Sequence, residues 1–558
     1  MKPPKINEAT PQDFFIPGID QGLALVRSEN LDPVQVPQVL VDGLALASDV
    51  EQRLRLVREM ADIEERRVWS CGISFPTVLA IAEDVCFQNR HLSVAGKYLL
   101  SSAGGTRLRN RYAKLGPEID GIAPDTALVE HMGTQSFNNR RGIPVATDIP
   151  RDLPFVIDAR NYFNFYHFTK ETLPLLTLVD EYELTGPILI VTGSSAKPVG
   201  FVSSYVETWF PHLVERVQFL HAPQTMERAF IALDTRHVYY QCRENVMQSI
   251  EGVSAEPVGR RATFDNMSIA ACNSFEAPVA DLRRHVLARI DGSPARRRIY
   301  VRRRSTRERH VVGEDLLERR LQRLGFQTIF FEDLSLKAQA TTVSESECIV
   351  SLHGAGLANM LFAPAGCHVV ELSNLQTLLK RFGDFNPLAL AAGVHYLHIY
   401  LDHDFEDRKA LPSIAADGHR GVSIGGFEVD VIGAKLASLL DPEAQMRATE
   451  ICRSLNDERR HDGLKQALDA HSDLLFHVPD WHVWQANVAA DRGDRPAVLA
   501  HLHHAMILAP LRLPLLKRIM GVAQELGNQD VFLEATACFM QHSPQKADKF
   551  LRQNNWTM

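Results

Sequence analysis

Cys348-Ile-Val-Ser-Leu-His353-Gly354-Ala355-Gly356-Leu357-Ala358-Asn359-Met360 is the stretch on which the reading of this chain turns. An apolar run of strand length leads into a histidine and two glycines, and then into a helix start. On either side the pattern alternates: strand Arg298–Arg302, helix Gly313–Leu324, strand Thr328–Phe331, helix Ser335–Ser344, strand Cys348–Leu352, helix Leu357–Phe362, strand His368–Leu372. Strands alternating with helices imply right-handed crossovers and a parallel sheet. In such sheets ligands bind beyond the carboxyl ends of the strands.

The His353 turn lies at such an end. Glycines there let backbone amides approach a phosphate, and a helix N-terminus adds unpaired N–H groups and a partial positive charge. His353 can donate to the same oxygens. By itself a Gly-x-Gly turn is also a common structural turn. The third glycine of a nicotinamide-binding fingerprint is missing, with Asn359 in its place, which argues against hydride transfer. A second segment, Ile299-Tyr-Val-Arg302-Arg303-Arg304-Ser-Thr-Arg307-Glu-Arg309-His310, ends a strand in a basic loop. Taken alone it reads as a solvated loop. On the same sheet edge as the His353 turn, its planar guanidinium forks suit a diphosphate.

Around this stretch, residues 292–442 form the second α/β domain, with a linker at Asp291-Gly292-Ser293-Pro294. Residues 75–291 form a first α/β domain. Its strands are expected at Thr77–Ile81, His91–Val94, Lys97–Leu100, Pro187–Thr192, Val217–Leu220 and His237–Gln241, and its helices at Tyr166–Tyr182 and Cys272–Arg289. Residues 1–74 read as an N-terminal helical extension carrying one helix near Asp49–Arg67. From 443 to 558 strand signals stop. Gly493 and Gly527, and Pro510 and Pro544, repeat at a 34-residue spacing, which points to tetratricopeptide-like helical repeats.

Composition narrows the function classes. The 558 residues are 45% hydrophobic and 23% charged, which is a globular balance, and the net charge of −8 gives no bulk attraction to nucleic acid or anionic lipid. Eight scattered cysteines without a Cys-x-x-Cys pair suggest a reduced, cytoplasmic protein without structural zinc. The start of the chain shows no signal peptide, and nothing reaches the ~20 apolar residues of a membrane span. Visits to the inner face of a membrane remain compatible with this. The sequons at Asn266 and Asn555 are then chance matches.

From Ile299 to Leu372 the chain resembles glycosyltransferase family 61. The resemblance rests on Arg303, Arg309, Glu314, Gly325-Phe326, Gln339, His353 through Asn359, and Val369-Val370-Glu371-Leu372, with Gly313 departing from the usual Asn before Glu314. Upstream, Asn164-Phe165-Tyr166-His167-Phe168-Thr169-Lys170-Glu171-Thr172-Leu173-Pro174 resembles that family's Asn-Tyr-x-His signature. The resemblance implies a GT-B arrangement of two facing Rossmann-like domains, a UDP-sugar donor and an inverting transfer of a hexosyl or pentosyl group to a glycan or polysaccharide acceptor.

Inversion needs a base for the acceptor hydroxyl. His167 and Glu171 are the candidates, four residues apart on one helical face. Arg303, Arg309, Gln339, His353, Gly354, Ala355, Gly356 and Asn359 are expected at the donor, with Glu371 at the ribose hydroxyls. No Asp-x-Asp metal clamp is evident, so the reaction is expected to need no metal and no cofactor besides the UDP-sugar, with arginine charge replacing a cation. The tail is expected to serve a protein partner or self-association. Two other readings stand beside this one: a degenerate nucleotide-sugar-binding scaffold that acts through its repeats, and a GT-B-fold nucleotide-sugar epimerase.

Overall fold

The computed structural model describes residues 2–39, 41–65, 71–88, 91–139, 142–159, 161–192, 200–236, 273–293, 296–304 and 309–556. The expected strand His237–Gln241, the sequon at Asn266, Cys242, Cys272 and Pro294 of the linker lie outside these residues.

The second α/β region has the expected alternation. Its parallel strands run in the spatial order Gln327–Phe330, Arg297–Arg302, Ser346–Leu352, His368–Asn374, His395–His403. In chain order this is 2-1-3-4-5, so the order reverses between Arg297–Arg302 and Ser346–Leu352. A crevice opens where crossovers leave a sheet in opposite directions. Val301 lies opposite Ser351, so the two strands deliver Arg303 and His353 to the same level of the sheet edge. Ile349, Val350, Val369 and Val370 are at most 4% exposed, which accounts for the unbroken apolar runs in the sequence.

The first α/β region also contains a parallel set, in the order Val217–Leu220, Ile188–Val191, Phe155–Asp158, Gln224–Asp234. Here the reversal falls between Phe155–Asp158 and Gln224–Asp234. The sheet continues antiparallel through Thr77–Gln88, His91–Val94 and Lys97–Tyr98. The expected helix Tyr166–Tyr182 is a run of three helical geometries. An α turn at Phe165–His167 widens to a π turn at Phe168–Thr172, tightens to a 3₁₀ turn at Leu173–Leu176, and resumes as α at Thr177–Glu181.

The N-terminal segment corrects the expectation of a helical extension. It does hold the helix Val50–Glu65, but Leu23–Leu25 joins the first sheet, Val34–Val36 pairs with Gly72–Phe75, and Val41–Ala45 pairs with His395–His403 in the second sheet. Strands of three to five residues carry too few positions to show a period, and each takes its partner from far along the chain. The segment therefore crosses all three sheets formed by the described residues.

Residues 442–553 are helical from Pro442–Asp457 to Pro544–Gln553, and most of these helices pack on their neighbours in sequence, while Ser472–Leu475 packs on Gly426–Leu440. The 34-residue spacing has a local cause. Gly493 and Gly527 adopt left-handed φ of 72° and 67° at helix ends, and Asp494 and Asn528 then cap the following helices by accepting from the amides of Ala497 and Val531. The tail is docked on the rest of the chain. Arg53, fully buried, pairs with Glu534, and Phe476 and Leu508 pack on the core of the second sheet. No helix among the described residues is long and apolar enough to cross a membrane.

Two imidazoles, His403 buried and His477 half-buried, set a pH dependence. Burial, with Arg408 nearby, pushes His403 down to about 4, and burial, with Lys435 nearby, pushes His477 down to about 4. The unfolded chain takes up these protons near the ordinary value of 6.5 while the folded chain does not, so stability is complete above that value and is lost as pH falls toward 4. Urea unfolding at pH 7 and pH 5 should show the lower midpoint at pH 5, and equal midpoints would contradict the assignment.

Candidate active site

The strand Arg297–Arg302 runs into Arg303, and its neighbour Ser346–Leu352 runs into His353. Arg303 Nη2 donates to the His353 carbonyl at 2.9 Å, and Arg309 Nη1 donates to the same oxygen at 2.8 Å. Two guanidinium groups are thereby drawn to one point on the crevice edge. Arg309 itself has a φ of 63°, an uncommon left-handed conformation for a long side chain and a form of strain that clusters at functional sites.

Gly354 is explained by space. Its φ of 164° suits any residue, but a Cβ there would lie 1.5 Å from Arg303 Nη2 and 3.3 Å from Arg309 Nη1. The first glycine of the turn thus admits the arginines. Gly356 is less constrained, with Phe331 at 3.4 Å from where its Cβ would be. The turn continues into the 3₁₀ helix Ala355–Phe362, whose first amides have no acceptor within the helix.

Gln339 and Asn359 form the floor beside it. Asn359 Nδ2 donates to Gln339 Oε1 at 3.0 Å, and Gln339 Nε2 donates to the carbonyls of Phe331 and Leu334 at 2.9 and 3.1 Å. These bonds pin the loop after Gln327–Phe330 to the His353 helix. Arg303, Arg309, Gln339, Ala355, Gly356 and Asn359 line one cavity of about 1000 Å³, and its opposite wall comes from the first α/β region through Asn164, Phe165, Ser204 and Thr208.

Glu371, expected at the ribose hydroxyls, lies behind His353. It is 2% exposed and faces inward, accepting from His353 Nδ1 at 2.9 Å and from the Tyr396 hydroxyl, with His398 Nδ1 at 3.7 Å. Burial alone pushes this carboxyl up. His353 and His398 outweigh that and hold it well below the usual carboxylate range. A carboxylate so committed orients His353, leaving Nε2 of the ring for other partners. Glu314 is likewise a brace, accepting from Tyr300 Oη at 2.8 Å and Arg302 Nη2 at 2.7 Å. The departure at Gly313 has a steric reason: φ is 83°, and a Cβ would lie 2.2 Å from the Ile424 carbonyl oxygen.

His167 and Glu171 meet as their spacing predicts, Nδ1 to Oε1 at 2.7 Å. The π turn that begins just after His167 contains Glu171, and π turns recur at functional sites. Asn164 caps the turn by accepting from the His167 amide at 3.3 Å. Arg107 Nη2 donates to the other Glu171 oxygen at 2.9 Å and lies 3.4 Å from His167 Nδ1. With the carboxylate nearer, Nδ1 carries the proton and Nε2 keeps its lone pair. Burial raises the Glu171 carboxyl, and its bonds from His167 and Arg107 reverse this to a net lowering.

His167 and Arg303 do not share a cavity. His167, Glu171 and Arg107 line an adjacent one of about 530 Å³, together with Lys380 and Asp384 of the second region. The turn Phe165–His167 separates the two, its Asn164 end facing the first and its His167 end the second. Phe385 links them, edge-on to Tyr166 at 4.8 Å and to His353 at 5.4 Å. Arg107, Asp384, Phe385 and Tyr396 escaped the sequence reading, because each lies in a segment without a motif and reaches the site only through packing.

No curated protein matches this chain. Residues 165–370, which begin at the turn carrying His167 and end beside Glu371, match the family model described as Glycosyltransferase 61, and this supports assignment to that family and to glycosyl transfer in general.

Proposed function

We propose that this protein transfers a sugar, with inversion, from a UDP-sugar to a glycan acceptor, in a GT-B arrangement with the donor on the second α/β region and the acceptor on the first. The observation that carries this reading is the convergence of Arg303 and Arg309 on the His353 carbonyl at the strand-order reversal, beside a cavity walled by both regions. Arginine forks and the first amides of Ala355–Phe362 hold the diphosphate and stabilise the charge that grows on it as the sugar leaves. This makes a metal at the leaving group unnecessary. His167, held by Glu171 and Arg107, takes the acceptor proton at Nε2. Glu171 is then a positioning residue. The tail serves as a tetratricopeptide-like platform for a protein partner or a second copy, and the protein acts on the cytoplasmic side.

Thermal unfolding with a panel of UDP-sugars tests the donor class. A ligand at 100 times its dissociation constant adds about 2.7 kcal/mol to stability. A panel with no stabilising member would remove the UDP-sugar reading, and conversion of a donor to its isomer without acceptor would replace transfer by epimerisation. Gly354→Ala should displace both guanidinium groups and weaken UDP binding roughly 10–100-fold, the range set by charged hydrogen bonds. Isothermal titration reads this directly, and unchanged affinity would mean the arginines do not hold the diphosphate.

A further inference from the structure

The C-terminal helices bring together three histidines that the transfer chemistry does not use. His482 lies on the helix Pro479–Asp491, and His501 and His504, three residues apart and so on one face, lie on the next helix, Arg495–Leu508. One ring nitrogen from each falls within 4.8 Å of the other two. A tetrahedral zinc with Zn–N bonds near 2.1 Å draws such nitrogens to about 3.4 Å apart, a closure that small side-chain rotations supply.

The hydrogen bonding of His482 adds a separate observation. This residue is fully buried, and its Nε2 lies 2.9 Å from the Phe476 carbonyl. A carbonyl only accepts, so Nε2 carries the proton and Nδ1 keeps its lone pair. That Nδ1 is buried without a hydrogen-bond partner, and so is Nδ1 of His501. A buried imidazole fixed by a carbonyl on one nitrogen, with the other unsatisfied, is the arrangement of a metal-ligating histidine and its outer support.

We infer that His482, His501 and His504 bind one divalent cation of the zinc type, with a solvent molecule in the fourth position. The site lies where the tail meets the second α/β region. Phe427, on the helix Gly426–Leu440 of that region, stacks on His504 at 4.5 Å and packs on Phe476, whose carbonyl holds His482. Binding there fixes two tail helices against each other beneath the surface that Phe427 covers, so the metal secures the docking of the tail. The inference is independent of the proposed donor chemistry.

The test uses the full chain, stripped of metal by a chelator and titrated with zinc chloride, with bound metal counted by elemental analysis. One zinc per chain and a zinc-dependent rise in melting temperature are expected. The double variant His501→Ala/His504→Ala should lose both. His503→Ala, on the same helix but paired with Glu534 at 2.8 Å, should keep both. No stoichiometric zinc, zinc retained by the double variant, or zinc lost equally in His503→Ala would each overturn the site. If the double variant does not fold, cobalt chloride added to the unaltered chain decides: visible bands of a four-coordinate ion, weakened in His504→Gln, support the site, and their absence overturns it.

Discussion

Arg303→Ala should lower kcat/KM for transfer by about 10²–10³, the usual loss when a donor aimed at developing charge is removed, and should weaken UDP binding as well. Arg303 follows directly on the strand at the order reversal and shares the His353 carbonyl with Arg309, so its loss also undoes the pairing that aims both forks. Arg303→Lys separates charge from geometry. An ammonium keeps the attraction but loses two-pronged bonding, so this variant should retain part of the binding and lose most of the rate. Steady-state kinetics with titration of UDP distinguish these outcomes. Turnover within a few-fold of normal in Arg303→Ala, or bound UDP with its diphosphate more than one water from Arg303, would refute the donor site as drawn.

His167→Ala should reduce kcat by about 10²–10⁴, the range for loss of a general base, while UDP affinity stays near normal. The split follows from geometry: His167 opens into the 530 Å³ cavity, whereas the arginines line the 1000 Å³ one. Glu171→Gln should also lower kcat strongly, since an amide that donates to Nδ1 moves the imidazole proton to Nε2, where the base needs its lone pair. If His167→Ala turns over normally, the His167–Glu171–Arg107 cluster is a structural brace between the regions and the base lies elsewhere.

The sequence by itself determined the elements whose signals are local. Buried parallel strands must be continuously apolar, so Cys348–Leu352 and His368–Leu372 could be read from composition along a few residues. His167 and Glu171 could be paired because a helix brings positions four apart together. Helix ends in the tail were legible through Gly493 and Gly527, since a left-handed helix end favours glycine wherever it occurs.

Tertiary structure alone decided what depends on partners distant in the chain. Val41–Ala45 is a strand only because His395–His403 offers it an edge, and nothing within five residues announces that. Glu371 reads in the sequence as a strand-end acid, yet it lies within the strand His368–Asn374, where Tyr396 and His398, from the next strand, close over it and turn it to His353. Arg107 reaches Glu171 across 64 residues, and His482 meets His501 and His504 only when two helices pack. A sequence displays hydrogen bonds and periods made within a turn or a strand. The desolvation of a carboxylate, the tautomer of an imidazole and the division of one expected site into two cavities arise from surfaces that meet only on folding.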